Sequence, residues 1–96
     1  MRVIPNPEKE ARNRRDHRLG FDGVAEIFTQ PVVEYLDIRP LGYDHEGRER
    51  VLGWLRGRVV VLVFEPVEIA PGKFAVKPIS LRRAELKERR LYEEGA

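Results

Sequence analysis

Cysteine is absent from the 96 residues. That excludes a disulfide framework, a thiol nucleophile and cysteine-ligated zinc, and it fits a reducing compartment without requiring one. Long apolar runs are absent as well. The longest, Val59 to Phe64, falls far short of the about 20 residues that span a bilayer. Pro5, Asn6 and Glu8 follow Arg2 closely, so the N-terminus has no apolar stretch of a secretory signal. Histidine is scarce: His17 and His45 share no metal-ligand spacing, and neither belongs to a His-Glu-x-x-His arrangement. No Gly-x-Ser-x-Gly elbow and no phosphate-binding glycine loop occurs. Serine chemistry would rest on Ser80, which reads better as a helix cap. The expectation is a cytoplasmic protein with no cofactor, no metal site and no membrane contact.

Charge is what the chain has in abundance. Asp, Glu, Lys and Arg make up 35% of it, against about 25% in typical globular domains. Such density leaves most helical faces polar, so the core must come chiefly from strands. The net charge is only +2 although the sequence pI is near 9.2. Any attraction to polyanions therefore depends on where the charges sit. The length suits one domain over residues 1–96.

Residues 1–4 can form an edge strand. Asn6-Pro7-Glu8 reads as a helix start, with Asn as cap, Pro at the first position and Glu8 and Glu10 near the positive end. This helix should reach His17 or Arg18. Its only apolar residue is Ala11, so it should lie mostly exposed, with Lys9, Asn13 and His17 aligned by fours. Gly20 ends it, and Asp22 can cap a second helix over about residues 23–29, whose apolar face is Phe21, Val24, Ile27 and Phe28. Residues 32–38 read as a strand, and 39–49, with Pro40, Gly42 and Gly47, as a loop.

A second strand is expected over 50–55, a tight turn at Arg56-Gly57, and a third strand over 58–65. Its all-apolar run implies cover on both faces, near the middle of the sheet. Pro66, Pro71 and Gly72 mark the next connection. A last strand over 73–79 should lie at an edge, because Pro78 cannot donate to a ladder. A charged helix then begins at Ser80, with Ala84, Leu91 and Tyr92 as its docking stripe and Leu86 pointing away. The sum is an α+β domain: two N-terminal helices, a three- to four-stranded, mainly antiparallel sheet and a C-terminal helix.

Arg82 and Arg83, adjacent at the handover from strand to helix, suit an anionic ligand, since a guanidinium grips phosphate with two parallel hydrogen bonds. Metal-free RNA cleavage needs few groups. The ribose 2′-hydroxyl is the nucleophile, and the protein must move protons and stabilise charge on phosphorus. A histidine can transfer protons near neutrality, and lysine and arginine supply the electrostatics. Lys9, His17 and Arg82 can furnish that set. Against this stands a plainer reading, in which His17 merely closes a helix where positive charge is favoured.

The order of motifs carries a resemblance. Asn6-Pro7-x-Lys9-x-x-x-Asn13-x-x-x-His17 is followed by Phe21 and by Ile27-Phe28-x-x-Pro31. Asp44-His45, Glu49 and Arg50, Gly53 and Gly57-Arg58 come next, and the chain closes on Ile79-Ser80-Leu81-Arg82-x-Ala84-x-x-x-Glu88-Arg89-x-x-Tyr92-Glu93. Taken together these segments resemble the BrnT toxin family over almost the whole chain. The resemblance implies a RelE-like fold and a metal-independent ribonuclease of a type II toxin–antitoxin pair that blocks translation. It also implies a partner, a BrnA-like ribbon-helix-helix antitoxin that would itself make the sequence-specific DNA contacts. It places Lys9, His17, Arg58 and Arg82 at catalytic positions; Arg50, Lys77 and Arg83 are expected to hold RNA.

The chain departs from the family pattern at Pro5-Asn6, at Arg18 where glycine is usual, at Glu65-Pro66-Val67, and at Lys77-Pro78. Those departures motivate the alternative of a non-catalytic protein- or RNA-binding module on the same fold.

Overall fold

The structure is a computed structural model that describes residues 1–35 and 47–96. In chain order the elements are α1 (Pro7–His17), α2 (Val24–Ile27), β1 (Val33–Glu34), β2 (Glu49–Leu55), β3 (Arg58–Ala70), β4 (Lys73–Arg83) and α3 (Leu86–Gly95). The strands form one four-stranded antiparallel sheet in the order β1-β2-β3-β4. The α+β expectation holds, with the four-stranded sheet and the C-terminal helix in place.

The apolar run of β3 fixes the architecture. Val60 and Leu62 are buried on one face, with Val51, Leu55, Phe64, Val76 and Leu81 around them and Phe21, Val24 and Ile27 packed over them. Val59 and Val61 are buried on the other, with Leu52 and with Tyr92 of α3. Both faces are therefore covered, one by α2 and the loop before it, the other by α3. β2 turns into β3 at Arg56 and Gly57, whose φ angles of 48° and 91° are those of a primed hairpin turn. Arg56 then reaches back to α2, donating to both Glu26 oxygens at 3.1 and 3.0 Å and to Asp22 at 3.2 Å.

α1 lies along the outer edge of β4, which would otherwise present unpaired backbone groups. Above it the N-terminal segment pairs with the same edge: Ile4 N–H donates to Val76 O at 2.8 Å and Val76 N–H to Arg2 O at 2.9 Å. Pro78 pairs with Phe64 beside the bulge that shifts the β3–β4 register between Val63 and Phe64. The edge placement inferred from this proline is correct.

Several local expectations are corrected. Pro66 does not end β3, which continues to Ala70, and β4 runs past Ser80 to Arg83. Ser80 is thus a strand residue opposite Val63, not a helix cap. The cap is Glu85, in a reciprocal capping box with Glu88. Asp22 does not cap α2, which is only four residues long; its carboxylate pairs with Arg56 instead. Asn6 stands at the N-cap of α1 but spends its amide on Pro78 O at 2.9 Å. Tyr92 of α3 docks, and Ala84, which precedes the helix rather than belonging to it, packs beside it, but Leu91 faces solvent at 45% exposure. β1 is shorter than the expected strand over 32–38; residues 36–38, most of the expected loop and the Asp44-His45 motif lie outside the described residues.

Candidate active site

The site begins with the attachment of α1. This helix carries no apolar stripe, and its single buried residue is Asn13. The Asn13 amide nitrogen donates to Leu19 O and Leu81 O, both at 2.8 Å, while its oxygen accepts from Leu81 N–H at 2.9 Å. One side chain thus reproduces a rung of sheet pairing and fixes both the position and the rotation of the helix. Glu10 adds a bond at 2.7 Å from Phe21 N–H. Lys9 and His17, one turn before and one turn after Asn13, are brought to the flank of β4.

There they line a surface cavity of about 410 Å³ together with Arg12, Asp16, Arg48, Ile79 and Ser80. A second cavity of about 360 Å³ is lined by Asp16, His17, Arg18, Arg82, Arg83 and Glu85. His17 borders both, so the two form neighbouring halves of one cleft. Among the described residues, Lys9, Arg12, Arg18, Arg48, Arg82 and Arg83 line it against Asp16 and Glu85. The charge that scarcely shows in the net total is concentrated here. Asp16 is shared between Arg12 and Arg15, each at 3.7 Å and all well exposed, so it offsets little of this field.

Strand register extends the basic surface. Directly opposed residues of an antiparallel pair share a face. Arg50 opposes Val63, which opposes Ser80; Glu65 opposes Lys77; and Val61 opposes Arg82. Arg50, Lys77, Ser80 and Arg82 therefore belong to the face that carries α3. Arg83 opposes Val60, on the opposite face, but at the end of β4 it still reaches the cleft. Arg58, two residues before Val60 at the start of β3, shares that opposite face and does not join the cleft.

Arg82 is the most constrained of these residues. Its Nη1 and Nη2 donate to the two Glu88 oxygens at 2.8 and 2.9 Å, and Nη1 also lies 3.3 Å from Arg83 O. Glu88 is 1% exposed and accepts from Glu85 N–H at 2.8 Å. Burial pushes its carboxyl upward, but hydrogen bonds from Arg82, the Glu85 amide and Tyr35 prevail and hold it at about 2. Arg82 is raised in turn, chiefly by the Glu88 hydrogen bond. The first turn of α3 is thus riveted to the end of β4.

Of the residues singled out from the sequence, Lys9 and His17 line the first cavity and His17, Arg82 and Arg83 the second; Arg12, Arg18, Arg48 and Ser80 join them without having been expected there. Arg18 carried a legible signal. The resemblance drawn from the sequence expects glycine at this position, and a φ of 60° accounts for that expectation, because the left-handed helix cap favours glycine. The arginine accepts the strained position and adds a cation to the cleft. Arg48 had no local signal; it stands immediately before β2 and reaches the cavity beside α1 only through the tertiary fold. Among the described residues, no three His, Asp or Glu side chains lie together as a metal site would require, and no helix is long and apolar enough to cross a membrane.

A family model described as the ribonuclease toxin BrnT of type II toxin–antitoxin systems matches residues 6–88. The match runs from the start of α1 into the first turn of α3 and so includes every cleft residue named above. Comparison with curated proteins gives no match.

Proposed function

Since the chain belongs to the BrnT family of ribonuclease toxins from type II toxin–antitoxin systems, with RNA as target and an antitoxin as partner, we propose that the cleft between α1 and β4 is where RNA is cut, without metal. The observation that carries this reading is the position of His17, which borders both halves of the cleft, with Lys9 in one and Arg82 in the other. His17, as general base, takes the proton of a ribose 2′-hydroxyl while O2′ bonds to phosphorus. The P–O5′ bond breaks, leaving a 2′,3′-cyclic phosphate, and the departing oxygen takes a proton from solvent. Lys9 and Arg82 stabilise the charge that grows on the phosphoryl oxygens. Arg50, Lys77 and Arg83 hold the flanking RNA backbone, with Arg12 and Arg48 beside them. Arg58 has no part in the chemistry under this reading.

The RelE-like classification, inhibition of translation in the cytoplasm and a BrnA-like ribbon-helix-helix antitoxin belong to the same proposal. A labelled RNA oligonucleotide incubated with the purified protein in EDTA should yield a 2′,3′-cyclic phosphate product. A single 2′-deoxy substitution at the cut site should abolish that cut. Cleavage that survives the substitution, or that requires added metal, would overturn the mechanism. Tight antitoxin binding with no RNA cleavage would favour the non-catalytic module.

A further inference from the structure

The Arg82–Glu88 pair poses a difficulty for any role of Arg82 at phosphate. A guanidinium bound to a carboxylate contributes little net charge, so its value to a reaction must be geometric. The pair is built for geometry. Glu88 takes the Nη1–Nη2 edge of the guanidinium through two bonds of 2.8 and 2.9 Å. It is itself immobilised by burial at 1% exposure, by the Glu85 amide in the capping box and by the hydrogen bond from Tyr35. An incoming phosphate has no access to exchange with so buried a carboxylate. It must meet the other bidentate edge of the fork, Nε–Nη2, on a side chain that lines the same half-cleft as His17. The field that draws RNA comes instead from Lys9, Arg12, Arg18 and Arg48, which among the described residues have no comparably buried acidic partner.

We infer that Glu88 is a positioning residue, whose grip on one edge of Arg82 aims the other edge at the phosphate beside His17. The inference rests on the proposed ribonuclease reading and adds to it the residue that sets the angle of the arginine. A pre-oriented fork loses little freedom when it binds, and misplacement by about 1 Å costs catalysis roughly a hundredfold. The effect should therefore fall on kcat rather than on RNA capture, which the remaining cations supply.

The test combines Glu88→Gln, Arg82→Lys and the double variant, assayed on a synthetic RNA in EDTA well below their melting temperatures, with folding checked by circular dichroism. Glu88→Gln should lower kcat roughly tenfold to a hundredfold with KM nearly unchanged, and should cost nothing further once Arg82 is lysine. A separate readout uses the Arg82 Nε–H signal in NMR, which should shift when a 2′-deoxy oligonucleotide is added to wild type and shift much less in Glu88→Gln. If Glu88→Gln melts earlier but cuts at the wild-type rate, or if the two substitutions multiply, the pair only fastens α3 and the inference is overturned. An Arg82 signal indifferent to oligonucleotide overturns it as well. Wild type that cuts no RNA while the Arg82 signal responds would instead count against the ribonuclease reading and leave the aimed arginine standing as a phosphate-binding device.

Discussion

Replacing Asn13 by alanine should loosen the helix on which the cleft depends. Three hydrogen bonds disappear, from a side chain only 3% exposed. Each is worth about 1 kcal/mol net, and the Leu81 amide and the carbonyls of Leu19 and Leu81 are left to find water, so the loss should be about 3 kcal/mol. In a domain of this size each kcal/mol moves the melting temperature by about 4–8 °C, which gives a drop of roughly 12–24 °C by calorimetry. Asn13→Asp keeps the shape and can still accept from Leu81 N–H. It cannot donate, and it sets a carboxylate against two carbonyl oxygens, so it should be no better than alanine. Amide exchange in α1 should accelerate in both variants before that of β3. An alanine variant that melts within about 3 °C of wild type, less than 1 kcal/mol on the same scale, would refute the argument. So would an aspartate variant clearly more stable than alanine.

Three further outcomes follow from the packing. The Glu88 carboxyl is lowered from 4.5 to about 2 in the fold, so its contribution, about 3 kcal/mol, is complete above pH 4.5 and is lost as pH falls toward 2; acid titration of stability should be shallower across that window in Glu88→Gln. By contrast, Arg56→Ala breaks ion pairs with Asp22 and Glu26 that are all more than half exposed, and thermal melts should show only a small fraction of the Asn13 effect. Gly53→Ala would drive a methyl group into the buried Ile27 side chain, prising α2 from β2 at a cost of about 1–3 kcal/mol, measurable by urea denaturation.

The sheet was readable because strands here announce themselves through burial. The apolar run from Val59 to Phe64 could only be an interior strand, and Arg56-Gly57 could only be a tight turn. The strand ends were less legible. Pro66 and Pro78 look like terminators, but a proline is tolerated wherever its missing N–H would have had no ladder partner, and both strands pass through. Ser80 looked like a cap because a charged run begins two residues after it; the real cap, Glu85 with Glu88, follows only when β4 is allowed four more residues. The site was partly legible for a different reason. Lys9, Asn13 and His17 share a helix face by simple periodicity, which needs no tertiary knowledge. Arg48 and Arg58 needed the tertiary fold: one lines the cavity beside α1, the register sets the other on the far face, and no local pattern distinguishes them.

The most direct test of the central claim compares kcat/KM for RNA cleavage in EDTA among wild type, His17→Ala, Lys9→Ala and Arg58→Ala. With the cleft as the active site, His17→Ala should fall roughly a hundredfold or more and Lys9→Ala should fall substantially, while Arg58→Ala, altered on the opposite face, should remain close to wild type. Full activity in His17→Ala, or a collapse in Arg58→Ala alone, would place the chemistry elsewhere on the sheet and contradict the account.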